Sequence, residues 1–153
     1  MSRTAKRARI APLAAIMVTA VISVGLAEAP KPIEARHEAM KKIGDAMKAM
    51  AGIVRNQMPF SAQTVQSQAA TVVENLEKAS ALFPPGSDKG DTETAAKAEI
   101  WTDPHGFAEA MKAAEAAATE LQQVTKEDEF RPALGKLGGA CKSCHERYRK
   151  PMH

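Results

Sequence analysis

The chain has 153 residues, 21 Lys and Arg against 18 Asp and Glu, and only 4% aromatic side chains. Four of the cations and none of the acids fall in residues 1–27, so residues 28–153 carry 17 basic against 18 acidic groups, about −1. That balance excludes the basic surface of a nucleic-acid binder, while the length suffices for one domain around one core that is poor in aromatic bulk.

Residues 1–27 have the order of a secretory signal peptide: Arg3, Lys6, Arg7 and Arg9, an apolar run from Ile10 to Leu26, then small residues in "GLAEAP". A cut after Ala27 keeps Pro30 away from the cleaved bond, which a cut after Ala29 does not, so the mature chain is expected to begin at Glu28. The apolar run spans 17 residues, close to the ~18–20 that cross a bilayer, and an uncleaved inner-membrane anchor is the alternative. In either case residues 28–153 are expected to be exported.

Four later stretches repeat apolar residues at about 3.5 positions, the seam spacing of bundled helices. The first runs Ile33, Met40, Ile43, Met47, Met50, Val54, with a gap at position 36. The second runs Val65, Ala69, Val72, Leu76, Ala79, Phe83, and the third Phe107, Ala110, Ala114, Ala117, Leu121, Val124. The fourth runs Phe130, Leu134, Leu137, Cys141, Cys144, Tyr148. Pro59 and Ser61 mark the end of one helix and the cap of the next, and Asp103-Pro104 marks an N-cap followed by proline at the first helical position. Pro132 fits only near a first turn, so the last helix is expected to start near Asp128. A long turn-rich segment, "PPGSDKGDTETAAKAEIW", separates the second and third helices, and the other links are short. The expected fold is all-α: an antiparallel four-helix bundle with one long crossing.

The only two cysteines lie in "CKSCH". Cys141, Cys144 and His145 fall at i, i+3 and i+4 of a helix and share one side. Covalent haem attachment needs that arrangement, with one thioether from each thiol and the adjacent imidazole on the iron. A redox CxxC opens a helix after a strand, a structural zinc site needs a second ligand pair, and a plain disulfide leaves His145 unexplained. Haem also supplies core volume that the few aromatics do not. Only eight residues follow His145, so a second iron ligand or a distal wall has to come from an earlier helix.

At this point the chain resembles the class II c-type cytochromes, the cytochrome c-prime family with its low-spin cytochrome c-556 relatives. The resemblance covers most of the mature chain and rests on "ARHEAM", "MPF", "FPPGSDKGD", "EIW" and "CKSCHERYR". It implies a left-handed antiparallel bundle with one covalent haem c buried near one end, a periplasmic location, and a homodimer through the first two helices in many members. The run before "EIW" is a few residues longer than in some members. The resemblance also implies that Met40 faces the distal side of the haem, as a sixth iron ligand in the low-spin relatives or as a block over a five-coordinate iron in the others. It further implies that Asp91 stands at the haem edge and that Arg149 lies on the proximal face, the alternatives being a solvated turn residue and a surface cation; His37, beside Arg36, either contacts the haem edge or is exposed.

Arg36 occupies the gap in the first seam, so its guanidinium faces the interior, where a haem propionate would satisfy it; the alternative is that it snorkels to solvent. Gly138 and Gly139, inside the last helix, suggest close approach by haem or another helix. His105 and His153 are expected to be exposed, Trp101 to pack the crossing onto the bundle, and Met47, Met50, Met58 and Met111 to fill core. No nucleophile–base pair or paired carboxylates stand out, so no enzyme activity is expected. The leading function is single-electron transfer between redox partner proteins, with His145 as proximal and Met40 as sixth ligand. The alternative is a five-coordinate haem binding nitric oxide or another small gas, and a weaker one is a bundle whose CxxC forms a disulfide.

Overall fold

A computed structural model describes residues 31–151. The expected signal segment and its cleavage site therefore lie outside the described residues, as do Met152 and His153. The elements are α1 (Pro32–Val54), α2 (Ala62–Ser80), the single turn α3 (Glu99–Thr102), α4 (Pro104–Gln122) and α5 (Glu127–Tyr148). No strand occurs among the described residues, only one isolated bridge between Ala96 and Arg149. No helix among them is long and apolar enough to cross a membrane.

The helix ends follow local chemistry. Pro32 opens α1, where its missing N–H costs nothing, and Asn56 turns the chain away at a φ of 56°. Ser61 caps α2 by accepting from the Thr64 N–H at 3.3 Å, and Asp103 caps α4 by accepting from the Gly106 N–H at 3.1 Å. The last helix starts at Glu127, one residue before the expected Asp128. Pro132 consequently sits in its second turn rather than its first, and the bond to the Asp128 carbonyl is forgone where Glu127, Asp128 and Glu129 already favour a helix start.

Four long helices form an antiparallel bundle in which α1 packs on α2, α2 on α4, and α4 on α5. The buried stripe of α1 keeps Ile33, Ile43 and Met50 from the expected seam but shifts by one position at the other three. It runs Ile33, Arg36, Ala39, Ile43, Ala46, Met50, Ile53, whereas Met40, Met47 and Val54 are half-buried. Small alanines at 39 and 46 take the packing positions, and the two methionines rotate towards the α5 side. In α4, Met111 and Ala118 join the buried set and Ala110 is only half-buried. Phe83 lies beyond the end of α2, in the crossing segment. At one end of the bundle Arg131 of α5 reaches α1, donating to the Val54 carbonyl at 2.9 Å. At the other end α1 and α5 wall a cavity, and the crossing between α2 and α4 runs over that end.

Candidate functional site

The cavity has a volume of about 640 Å³, within the usual range for a cofactor site. One wall is α1, through Arg36, His37, Met40 and Met47; the opposite wall is the end of α5, through Cys141, Cys144, His145 and Arg149. Phe83, Phe107 and Tyr148 close the apolar back, and Thr94, Ala95 and Ala96 form a rim.

The rim is strapped to the end of α5. The Lys97 N–H donates to the Tyr148 carbonyl at 3.0 Å, and the Lys150 N–H to the Ala95 carbonyl at 2.7 Å. Lys97 Nζ adds a bond to the Glu146 carbonyl at 2.9 Å. Helix carbonyls that would otherwise lack partners are thereby satisfied where the site needs rigidity. Aromatic contacts continue the support: Phe83 meets Phe107 edge-on at 4.8 Å, and Phe107 meets Tyr148 at 5.3 Å.

Cys141 and Cys144 are free and half-buried, and burial pushes both thiols above their ordinary pKa. His145 is exposed along the cavity; partial burial, and then the Arg149 charge, lower its pKa and favour the neutral imidazole that coordinates iron.

Arg36 is the most informative group. It is 4% exposed, so it does not snorkel. Its guanidinium lies over the Phe83 ring at 4.7 Å, and Nη2 donates to the Ser87 carbonyl at 2.6 Å. Nε and Nη1 are buried with no protein partner. Burial lowers its pKa, though it remains a cation. Two orphaned donors on a buried cation, at the edge of an apolar cavity with paired thiols and an imidazole, fit a flat apolar group with iron at its centre and carboxylates at its edge. Haem has that chemistry.

Several expectations separate here. Met40 and His37 line the cavity with Cys141, Cys144 and His145, and Arg149 does so on the α5 side. Asp91 does not: its side chain is 91% exposed and pairs with Lys31 at 3.4 Å. The turn before it brings a backbone group, the Ser87 carbonyl, to Arg36, while Thr92 bonds Glu34 and holds the segment outside the cavity. Met47 and Met111, expected as core filler, also line the cavity. An added Cβ at Gly138 or Gly139 would meet nothing within 4 Å, and nothing in the structure explains those two glycines. Sequence reasoning missed the Thr94–Ala96 rim and the bonding of Tyr148 to Asp103. The strict N-cap pattern at Asp103 was the available signal for one half of that pair.

Comparison with known proteins agrees with this geometry. The family model described as Cytochrome C' matches residues 31–149. Cytochrome c' of Pararhodospirillum photometricum is 39% identical over 121 residues, covering 77% of this chain and 95% of that protein. Cytochrome c-556 of Agrobacterium fabrum is 32% identical, covering 90% of this chain and 93% of its own length. Among solved structures, cytochrome c' of Rhodopseudomonas palustris superposes with a TM-score of 0.77 at 31% identity, covering 82% of this chain and all of that one. A nitric oxide complex of a variant cytochrome c prime from Alcaligenes xylosoxidans gives 0.72 at 27% identity, covering 82% of this chain and 100% of that one. With one covalent haem c as its cofactor, this chain belongs to the cytochrome c' family.

Proposed function

We propose that this protein carries single electrons between redox partner proteins, with His145 and Met40 as the two axial ligands of its haem. The observation that carries the reading is the presence of both side chains in one cavity, the thioether on α1 and the imidazole on α5. Haem, when bound, supplies reversible one-electron chemistry at iron. The chain does the rest. Cys141 and Cys144 would hold the group covalently, Arg36 would offer its unpartnered Nε and Nη1 to a propionate, and Phe83, Phe107 and Tyr148 would shield its apolar face from water. Met40 is half-buried on the cavity wall, and its unbranched thioether has the rotamer freedom that a ligand to the iron would need. His37 and Arg149 line the same cavity and would stand at the haem edge and on its proximal face. The N-terminal pattern supports export to the periplasm, and pairing of two copies through α1 and α2 belongs to the same family reading.

A second reading has specific support. Several of the relatives are named cytochrome c', and one related structure is a nitric oxide complex. In that reading Met40 packs over a five-coordinate iron and the protein binds a small gas. Stopped-flow mixing of the reduced protein with nitric oxide separates the two. Met/His ligation makes binding wait on release of Met40, so Met40→Ala should bind faster than the unmutated protein. Equal, fast binding in both would move the assignment to gas binding.

A further inference from the structure

We propose that Asp103 and Tyr148 are positioning residues for the axial imidazole, holding the last turn of α5 against the first turn of α4 so that the His145 ring plane has a set orientation. The inference rests on His145 as axial ligand. Asp103 does more than cap a helix. Its Oδ1 accepts from the Gly106 N–H at 3.1 Å, which alone satisfies the capping requirement. Its Oδ2 accepts from Tyr148 Oη at 2.9 Å and from Arg147 Nη2 at 2.7 Å, both in the last turn of α5.

Tyr148 is 3% exposed and lies three residues after His145 and four after Cys144, so it follows them along one side of the helix. Its ring edge against Phe107 fixes one end of the side chain, and the Asp103 bond fixes the other. Burial, followed by the Asp103 bond, keeps the phenol above its ordinary pKa, so it remains a donor. The approach depends on Gly106, where an added Cβ would meet Tyr148 Oη at 2.7 Å. Helix ends ordinarily fray because their last carbonyls lack partners. Here the turn carrying a metal ligand is held from two directions, by Asp103 and by the Lys97 strap. Groups that orient a first ligand tune the metal although they never touch it.

The test uses the haem-loaded protein and three variants. Tyr148→Phe keeps the ring and removes only the hydroxyl, Asp103→Ala removes the hub, and Ser61→Ala removes a cap at the other end of the bundle. The readouts are the hyperfine-shifted haem methyl resonances of the ferric protein, which follow the imidazole plane, and the reduction potential, with thermal melting alongside. Tyr148→Phe and Asp103→Ala should move both the methyl pattern and the potential, in the same sense. Ser61→Ala should lower only the melting temperature. An unmoved pattern and potential in Tyr148→Phe would overturn the proposal even if Asp103→Ala fails to fold. If the unmutated protein shows no hyperfine-shifted imidazole protons, His145 is not the ligand and the proposal falls with that assignment.

Discussion

Arg36 Nη2 donates to the Ser87 carbonyl at 2.6 Å, linking the first helix to the crossing segment 51 residues later, while the other two guanidinium nitrogens stay buried without protein acceptors. Arg36→Leu should keep the haem, because the thioethers hold it, and lower the reduction potential. Loss of a cation near the haem favours ferric over ferrous iron. Folding stability should also fall by about 1–3 kcal/mol as the Ser87 carbonyl loses its donor. A spectroelectrochemical titration checks the first effect, and an unchanged potential would show that the guanidinium does not serve the haem.

The cavity between α1 and α5 makes the cofactor part of the core. Replacing Cys141 and Cys144 together with alanine should abolish covalent attachment and cost about 3–5 kcal/mol, the scale of a large core truncation. Acid–organic extraction should leave the unmutated protein red and the double variant colourless. Native helicity with undiminished thermal stability in the double variant would count against the haem as a structural element.

Gly106 tests packing at the start of α4. A methyl group there would contact both the Asp103 carboxylate and the Tyr148 hydroxyl, so Gly106→Ala should destabilise by about 1–3 kcal/mol despite the better helix propensity of alanine. Urea denaturation measures the change. A stabilised variant would mean that the two side chains move aside without cost.

The Asp103–Tyr148 pair sets a pH window. The Tyr148 bond, followed by the Gly106 N–H, holds the Asp103 pKa below its ordinary 3.8. Its stabilising contribution is therefore complete above 3.8 and disappears as pH falls through the lower folded value. Tyr148 is shifted upward from 10.0, so its contribution is complete below 10 and is lost as pH rises through the higher folded value. Asp103→Asn should flatten the acid limb of a stability–pH curve. Some of that limb should remain, because Glu34 and Glu74 are also lowered, through Thr92 and Lys78. An identical acid limb in the variant would show that Asp103 carries no linkage.

Much of the site was legible because its residues obey helical spacing. "CKSCH" places two thiols and an imidazole on one side of a helix, and the interruption at position 36 announced a charged residue facing inward. The seam of α1 was less legible. Methionine and alanine both read as apolar, and only packing reveals that Ala39 and Ala46 are buried in the core while Met40 and Met47 line the cavity. The crossing segment resisted most. Arg36 finds a backbone carbonyl at Ser87, a contact that any residue type can offer, and Asp91 points to solvent although its type suited a haem edge. The strap from Lys97 to Tyr148 is likewise a backbone pairing and leaves no side-chain pattern.

The most direct test of the account is the spin state of the ferric iron at neutral pH, read together by visible and paramagnetic-resonance spectroscopy in the unmutated protein and in Met40→Ala. Ligation by His145 and Met40 requires a low-spin spectrum that becomes high-spin when the thioether is removed. A high-spin spectrum in the unmutated protein, unaltered in Met40→Ala, would contradict the axial pair and with it the electron-carrier assignment.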